Sequence, residues 1–205
     1  MIEILISFCL ASMALAITPG PDNIYVLTQS ISNGSSYGIA TTGGLITGCI
    51  LHTTLVAFGI SAIIMTSEVL FLVLKIIGAV YLLYLTHQVW KAGNTLMLSA
   101  NTSVKRTHFQ LFKQGVLMNI LNPKVSLFFL VFFPAFLWDT EGNTVLQFYV
   151  LGLLFMVVSF LIFSAIALLS GRVSSFLRKQ KNAGVFFKWM QIIVFMAIAI
   201  FLLLP

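Results

Sequence analysis

The sequence predicts an all-α integral membrane protein of about six transmembrane helices, and three observations carry that expectation. Hydrophobic residues make up 60% of the chain and charged residues 8%, with a mean hydropathy of +1.06, far outside the balance of a soluble domain. Six charge-poor apolar runs follow one another, and at about 20–25 residues per span they leave no room for a soluble domain beside them. The cations gather in two stretches: Lys91, Lys105, Arg106 and Lys113 in or beside one, and Arg172, Arg178, Lys179, Lys181 and Lys188 in or beside the other. Cationic loops are retained in the cytoplasm, so both stretches are expected inside.

The first run, 2–31, would measure roughly 45 Å as one helix, against a hydrocarbon core of about 30 Å. It carries Thr-Pro-Gly-Pro-Asp-Asn at 18–23. Proline removes a backbone donor and clashes with the turn before it, so a helix entering Thr18 must break by Pro21. Non-helical backbone at membrane depth is tolerated where protein or a water-filled cavity satisfies its polar groups. The break is therefore expected to face a cavity. The second and third runs, 37–65 and 69–90, follow. The fourth, 114–138, is broken in turn by Asn-Ile-Leu-Asn-Pro-Lys at 119–124, and the fifth and sixth cover 144–170 and 186–204. Alternation places the N-terminus, the Glu68 turn, the Asp139 and Glu141 turn and Pro205 outside, all free of Lys and Arg.

A single transporter domain, 1–205, is expected, with halves of about 1–92 and 106–205 joined by a basic cytoplasmic loop. Three spans per half give the halves opposite orientations, and each half contains a Gly/Pro-interrupted helix. Paired interruptions of this kind are the sequence pointer to an inverted-repeat transporter and its central site.

The candidate site residues follow from the two breaks. Pro19, Gly20, Pro21, Asp22 and Asn23 belong to the first, and Asn119, Asn122, Pro123 and Lys124 to the second. Asp22 has two open readings: an intramembrane acid that handles an amine or a proton, and a cap for a helix beginning at Asn23. Lys124 either pairs with Asp22 or a substrate carboxylate, or snorkels to the inner headgroups. Asn119 and Asn122 offer amides beside carbonyls freed by Pro123, a combination suited to a zwitterion. His52, deep in the second span, either relays protons or is a neutral ring bonded across helices. Gly38, Gly43, Gly44, Gly48 and Gly59 make the second span a close-packing face, against another span or against a second subunit in a homodimer.

Other classes find less support. The net charge of +6 reports loop orientation rather than a nucleic-acid partner. Cys9 and Cys49 lie in apolar runs without metal spacing and read as small buried hydrophobes. The N-terminal run has Glu3 and no cation ahead of its apolar stretch, so signal cleavage is not expected. No phosphate loop and no HExxH occur, which points to an ion gradient, with protons as the coupling ion and no cofactor. Rival readings are an intramembrane enzyme or lipid-handling protein, which would need a catalytic cluster or a basic headgroup pocket, and a metal-ion exporter, which would need more ligands than His52.

The two broken motifs, with Phe128-Phe129 and Phe132-Phe133-Pro134 after the second, resemble the lysine-exporter (LysE/RhtB) family. The stretches 44–48 and 76–82 are similar to that family's second and third spans, so the resemblance covers nearly the whole chain. It implies an inner-membrane exporter of amino acids or close derivatives that exchanges substrate for protons, most similar to the branch handling neutral, homoserine- and threonine-like compounds. It also implies roles for Pro19, Gly20 and Pro21, for Asp22 where members carry Asp or Asn, and for Asn122, Pro123 and Lys124. Pro134-Ala-Phe136 stands where many members have Pro-Gln-Phe.

Overall fold

A computed structural model describes residues 1–66, 68–91, 106–140, 142–179 and 183–203. Lys105, Glu141, Lys181, Pro205 and nearly all of the basic loop joining the halves lie outside the described residues. The first apolar run breaks where its prolines require, into α1 (Ile2–Ile17) and α2 (Pro21–Asn33), bent by 59°. Pro21 takes the first helical position, where a missing N–H costs nothing. A one-residue turn at Gly34, with φ +104° that favours glycine, leads into α3 (Ser35–Thr66), followed by α4 (Glu68–Lys91).

The second break has the same logic. The helix α5 (His108–Ile120) stops at Leu121 and Asn122, and α6 (Pro123–Leu127) runs on through Phe136 at 51° to it. Pro134 offers no N–H to the preceding turn, and the helix first widens to a π-turn at Phe128–Phe132 and then tightens to a 3-10 turn at Phe133–Phe136. The chain continues in α7 (Thr144–Leu168), α8 (Ser170–Lys179) and α9 (Ala183–Leu203). Among the described residues four helices are long and apolar enough to cross a membrane, and six spans result when each bent pair counts as one.

Two boundaries correct the sequence reading. The fourth span starts at His108 rather than 114, because Thr107 and Gln110 form a reciprocal capping box that anchors the first turn. The cationic stretch after the fifth span is the separate helix α8 rather than plain loop.

The threonine hydroxyls of α3 are satisfied by their own helix. Thr41, Thr42, Thr47, Thr53 and Thr54 each donate to the carbonyl four residues back, at 2.8–3.0 Å. The aromatic side chains of the second break fill the space beside α1, with Phe8 edge-on to Phe133 at 5.0 Å and Phe129 stacked on Phe133 at 4.1 Å. Elsewhere α3 packs against both α5 and α7, and α4 against α9.

The ends of the molecule sort by sequence. Arg106 donates to the Tyr25 hydroxyl at 3.0 Å and His108 stacks on Tyr37 at 4.0 Å, so the start of α5 meets the α2–α3 turn. The cationic α8 also contacts α2. At the far end of α3, Ser61 accepts a 2.9 Å bond from Thr144 at the start of α7.

The glycine face of α3 is taken up within the chain. A Cβ on Gly44 would collide with the Phe112 carbonyl of α5, one on Gly115 with the Thr41 carbonyl, and one on Gly48 would come within 2.7 Å of Asn119. Around Gly44 and Gly48 the stripe is therefore filled by α5 of the same chain, while Gly59 stands open. Gly44→Leu is expected to cost more than the ~1–3 kcal/mol of ordinary overpacking, because it strikes backbone. Gly59→Leu, with nothing within 4 Å of its Cβ position, should be tolerated. Thermal unfolding of the detergent-extracted variants separates the two, and equal stability would contradict the close α3–α5 approach.

Candidate functional site

The two breaks face each other and are tied together by side chains that each break frees. At the end of α1, carbonyls without helical partners are left by Pro19 and Pro21. Lys124, the second residue of α6, reaches across and donates its Nζ to Leu15 O at 2.9 Å and Thr18 O at 2.8 Å. Asn23 supplies a third such bond, from Nδ2 to Ala16 O at 2.7 Å. The snorkelling reading of Lys124 is thereby overturned: the ammonium turns inward because the broken end of α1 presents acceptors that headgroup water would otherwise have to match.

Asn122 performs the reciprocal task. Its Oδ1 accepts from the Lys124 N–H at 3.0 Å and caps α6, while its Nδ2 donates to Asp22 Oδ2 at 2.6 Å. Asp22 is 5% exposed and Asn122 4%, so this bond is shielded from water. The cap reading of Asp22 is also overturned. Helix α2 begins at Pro21 with Gly20 in the cap position, and Asp22 is the second residue, its carboxylate engaged across the break rather than on its own backbone. An acid there still gains from the positive end of the α2 dipole. Lys124 lies within electrostatic reach of Asp22.

His52 belongs to the same neighbourhood in a different capacity. Its Nε2 lies 3.2 Å from Asn119 O, and a carbonyl accepts, so Nε2 carries the hydrogen. The ring stacks on Phe129 with centroids 5.4 Å apart. The ring is thus bonded across helices, from α3 to the end of α5. The rings of Pro21 and Pro123 are exposed, so both act through the backbone they interrupt. Gly20 has ordinary extended backbone and lies against the Lys124 side chain.

The groups converge on a cavity of about 20 Å³ lined by Asp22, Asn119, Lys124, Cys49 and Ser159 among apolar neighbours, room for about one water molecule. Three atoms on residues lining it, Asp22 Oδ1, Asn119 Oδ1 and Ser159 Oγ, have no hydrogen-bond partner within the protein. A buried polar atom without a partner costs about 1–3 kcal/mol, and a concentration of three marks a place built for something polar. Two larger cavities, of about 620 and 380 Å³, are lined mainly by apolar side chains, and Pro19 and Asn23 border the smaller of these. Neither gathers convergent polar groups, so chemistry favours the small cavity over the large ones. Among the described residues no three His, Cys, Asp or Glu side chains come together as a metal ion would require.

Sequence reasoning missed Ser159 and set Cys49 aside. Ser159 was visible as a hydroxyl inside the apolar α7 run, and Cys49 takes a 3.5 Å bond from Asn119 Nδ2 that turns the Asn119 carbonyl away from it. The backbone carbonyls of Leu15 and Thr18 carry no sequence signal beyond the prolines that free them.

A homoserine/homoserine lactone efflux protein of Salmonella typhimurium is 30% identical over 176 residues, covering 86% of this chain and 84% of the relative. A leucine efflux protein of Salmonella choleraesuis is 28% identical over 176 residues, covering 86% and 83% respectively. No solved structure is significantly similar to the chain. The profile of the LysE type translocator family matches residues 13–205, and with two broken helices locked face to face inside a multi-pass helical membrane protein, the chain belongs to that family.

Proposed function

We propose that this chain is a secondary exporter of amino acids or close derivatives of the neutral, homoserine- or leucine-like kind, driven by proton antiport across a bacterial inner membrane. The observation that carries the reading is the opposed pair of breaks, where the carboxyl of the buried Asp22 and the amine of the half-buried Lys124 both line one small cavity. An amino-acid zwitterion brings an ammonium for Asp22 and a carboxylate for Lys124. Family membership and the names of the relatives support export as the activity.

The halves, about 1–92 and 106–205, act as the two moving parts. Corresponding elements meet across them: break with break, second span α3 with second span α7, and third span α4 with third span α9. That pairing is what an inverted repeat produces, and rocking of one half against the other opens the site to each side in turn. At about 20 Å³ the cavity is far below the ~300–1000 Å³ of typical ligand pockets, so this conformation is a closed one. The site draws on both halves of a single chain, and one chain is the transport unit.

Both termini lie outside in this reading, with the α2–α3 turn, the 92–105 loop and α8 in the cytoplasm. A membrane-impermeant maleimide should label Thr140→Cys in intact cells and Ser36→Cys after permeabilisation alone. The reverse pattern would invert the orientation.

The function itself is tested by loading cells that express the protein with labelled leucine, homoserine and threonine and following efflux with and without an uncoupler. Export above the empty-vector rate that falls with the uncoupler is expected. A rate equal to the vector control for all three compounds would overturn the proposal.

A further inference from the structure

We infer that Ser159 on α7 completes a three-oxygen seat, with Asp22 and Asn119, for the primary ammonium group of the transported molecule, and that this seat excludes N-alkylated amines. The inference rests on the export reading above and adds a recognition residue and a specificity to it.

Five buried polar atoms among the described residues have no protein partner: Ser12 Oγ, Asp22 Oδ1, Asn119 Oδ1, Ser159 Oγ and Ser164 Oγ. Three of them sit on residues lining the one cavity between the breaks, and their residues are 5%, 3% and 2% exposed, in the order Asp22, Asn119, Ser159. Each comes from a different element, α2, α5 and α7, so their convergence is a product of the fold and not of local sequence.

The chemistry of these atoms selects the ligand. A carboxylate oxygen and an amide oxygen accept hydrogen bonds, and a serine hydroxyl accepts as readily as it donates. The matching group is therefore a donor with several N–H bonds. A primary ammonium has three, one for each oxygen, whereas an anion has none to give. Lys124 does not already serve this purpose: the bonds of its Nζ run to Leu15 O and Thr18 O and none runs to these three oxygens, and its third N–H is left for a carboxylate. A second positive charge beside Lys124 is acceptable when it arrives attached to a carboxylate, as in a zwitterion, and a bare sodium ion brings no such counter-charge.

Hydrogen-bond count sharpens the selection. A primary ammonium brings one N–H for each of the three oxygens, whereas an N-methyl ammonium brings two and leaves one buried oxygen unpaired. The other side chains around the cavity include Leu15, Ile46, Val125, Phe155 and Phe163, against which a displaced N–H finds no acceptor.

The test uses the full chain in proteoliposomes loaded with labelled leucine, N-methyl-leucine, homoserine or N-methyl-homoserine. The wild type should export each primary amine about tenfold faster than its N-methyl form, the worth of one hydrogen bond to a charged group. In Ser159→Ala the KM for the primary amine should rise while its maximal rate changes less, and the preference over the N-methyl form should shrink toward one, since the lost hydroxyl removes the third acceptor. Ser164→Ala, which deletes another hydroxyl of the same helix away from this cavity, should keep the wild-type preference. Equal handling of both amine forms by the wild type would overturn the inference, as would a Ser159→Ala variant that slows both forms alike or leaves the preference intact. Sodium-stimulated export that vanishes in Ser159→Ala would reassign the cavity to a metal cation. No export of either primary amine by the wild type would remove the underlying function, a result separate from a failed preference.

Discussion

Asp22→Asn is expected to lower amino-acid efflux by about 10–100-fold, because a hydrogen bond to a charged group is worth about 1.5–3 kcal/mol and each 1.4 kcal/mol is a factor of ten. It is also expected to remove the response of efflux to the proton gradient. The substitution is a clean one in structural terms. Asn122 Nδ2 donates to Asp22 Oδ2 at 2.6 Å, and the amide oxygen of asparagine accepts the same bond, so the tie between the breaks is kept. What disappears is the negative charge and the capacity to take up a proton. Asp22→Ala would be less informative, since it strands the Asn122 amide in a buried site and confounds folding with transport. Efflux from preloaded vesicles at several imposed proton gradients measures the effect. A variant that exports at the wild-type rate with the same gradient dependence would show that the coupling group lies elsewhere, His52 included.

The fold was legible in the sequence wherever one residue type had a single physical meaning. Pro19, Pro21 and Pro123 end helices because they lack a donor, and the chain breaks at each. The cations of the polar stretches and the long apolar runs located the spans. The glycines announced close approach of two helices but not which helix would come close, because small size permits contact without naming the partner. That partner is α5 of the same chain. The site was legible as two motifs and not as an arrangement. Asp22, Asn122 and Lys124 were recognisable as polar groups in apolar surroundings, yet their bonds span about a hundred positions in sequence. Direction was the illegible part: whether Lys124 turned inward depended on acceptors at Leu15 and Thr18, which are backbone atoms and have no letter in the sequence. Ser159 was passed over for a similar reason, since a lone serine in a span usually bonds to its own helix, as the threonines of α3 do.

Lys124→Met is expected to be the most damaging single substitution at the breaks. It removes both bonds from Nζ to the α1 carbonyls, at 2.9 and 2.8 Å, and leaves Asp22 buried without its nearby positive charge. A hydrogen bond to a charged group is worth about 1.5–3 kcal/mol, so losing two is enough to deplete the folded population of a marginally stable protein. The yield of monodisperse protein in detergent should therefore fall sharply. The double variant Asp22→Asn with Lys124→Met tests the reason for that fall. If the stranded carboxylate is the main cost, neutralising it restores much of the yield, while the two carbonyls remain unpaired and transport stays lost. If the carbonyls are the main cost, the double variant is as poorly folded as Lys124→Met alone, and the role of Lys124 is to close the end of α1 rather than to balance Asp22. Recovery of transport along with yield would be a third result, and it would remove both charges from the mechanism. The two residues sit on opposite breaks, so the size of the rescue is a direct measure of how strongly the halves are coupled through this pair.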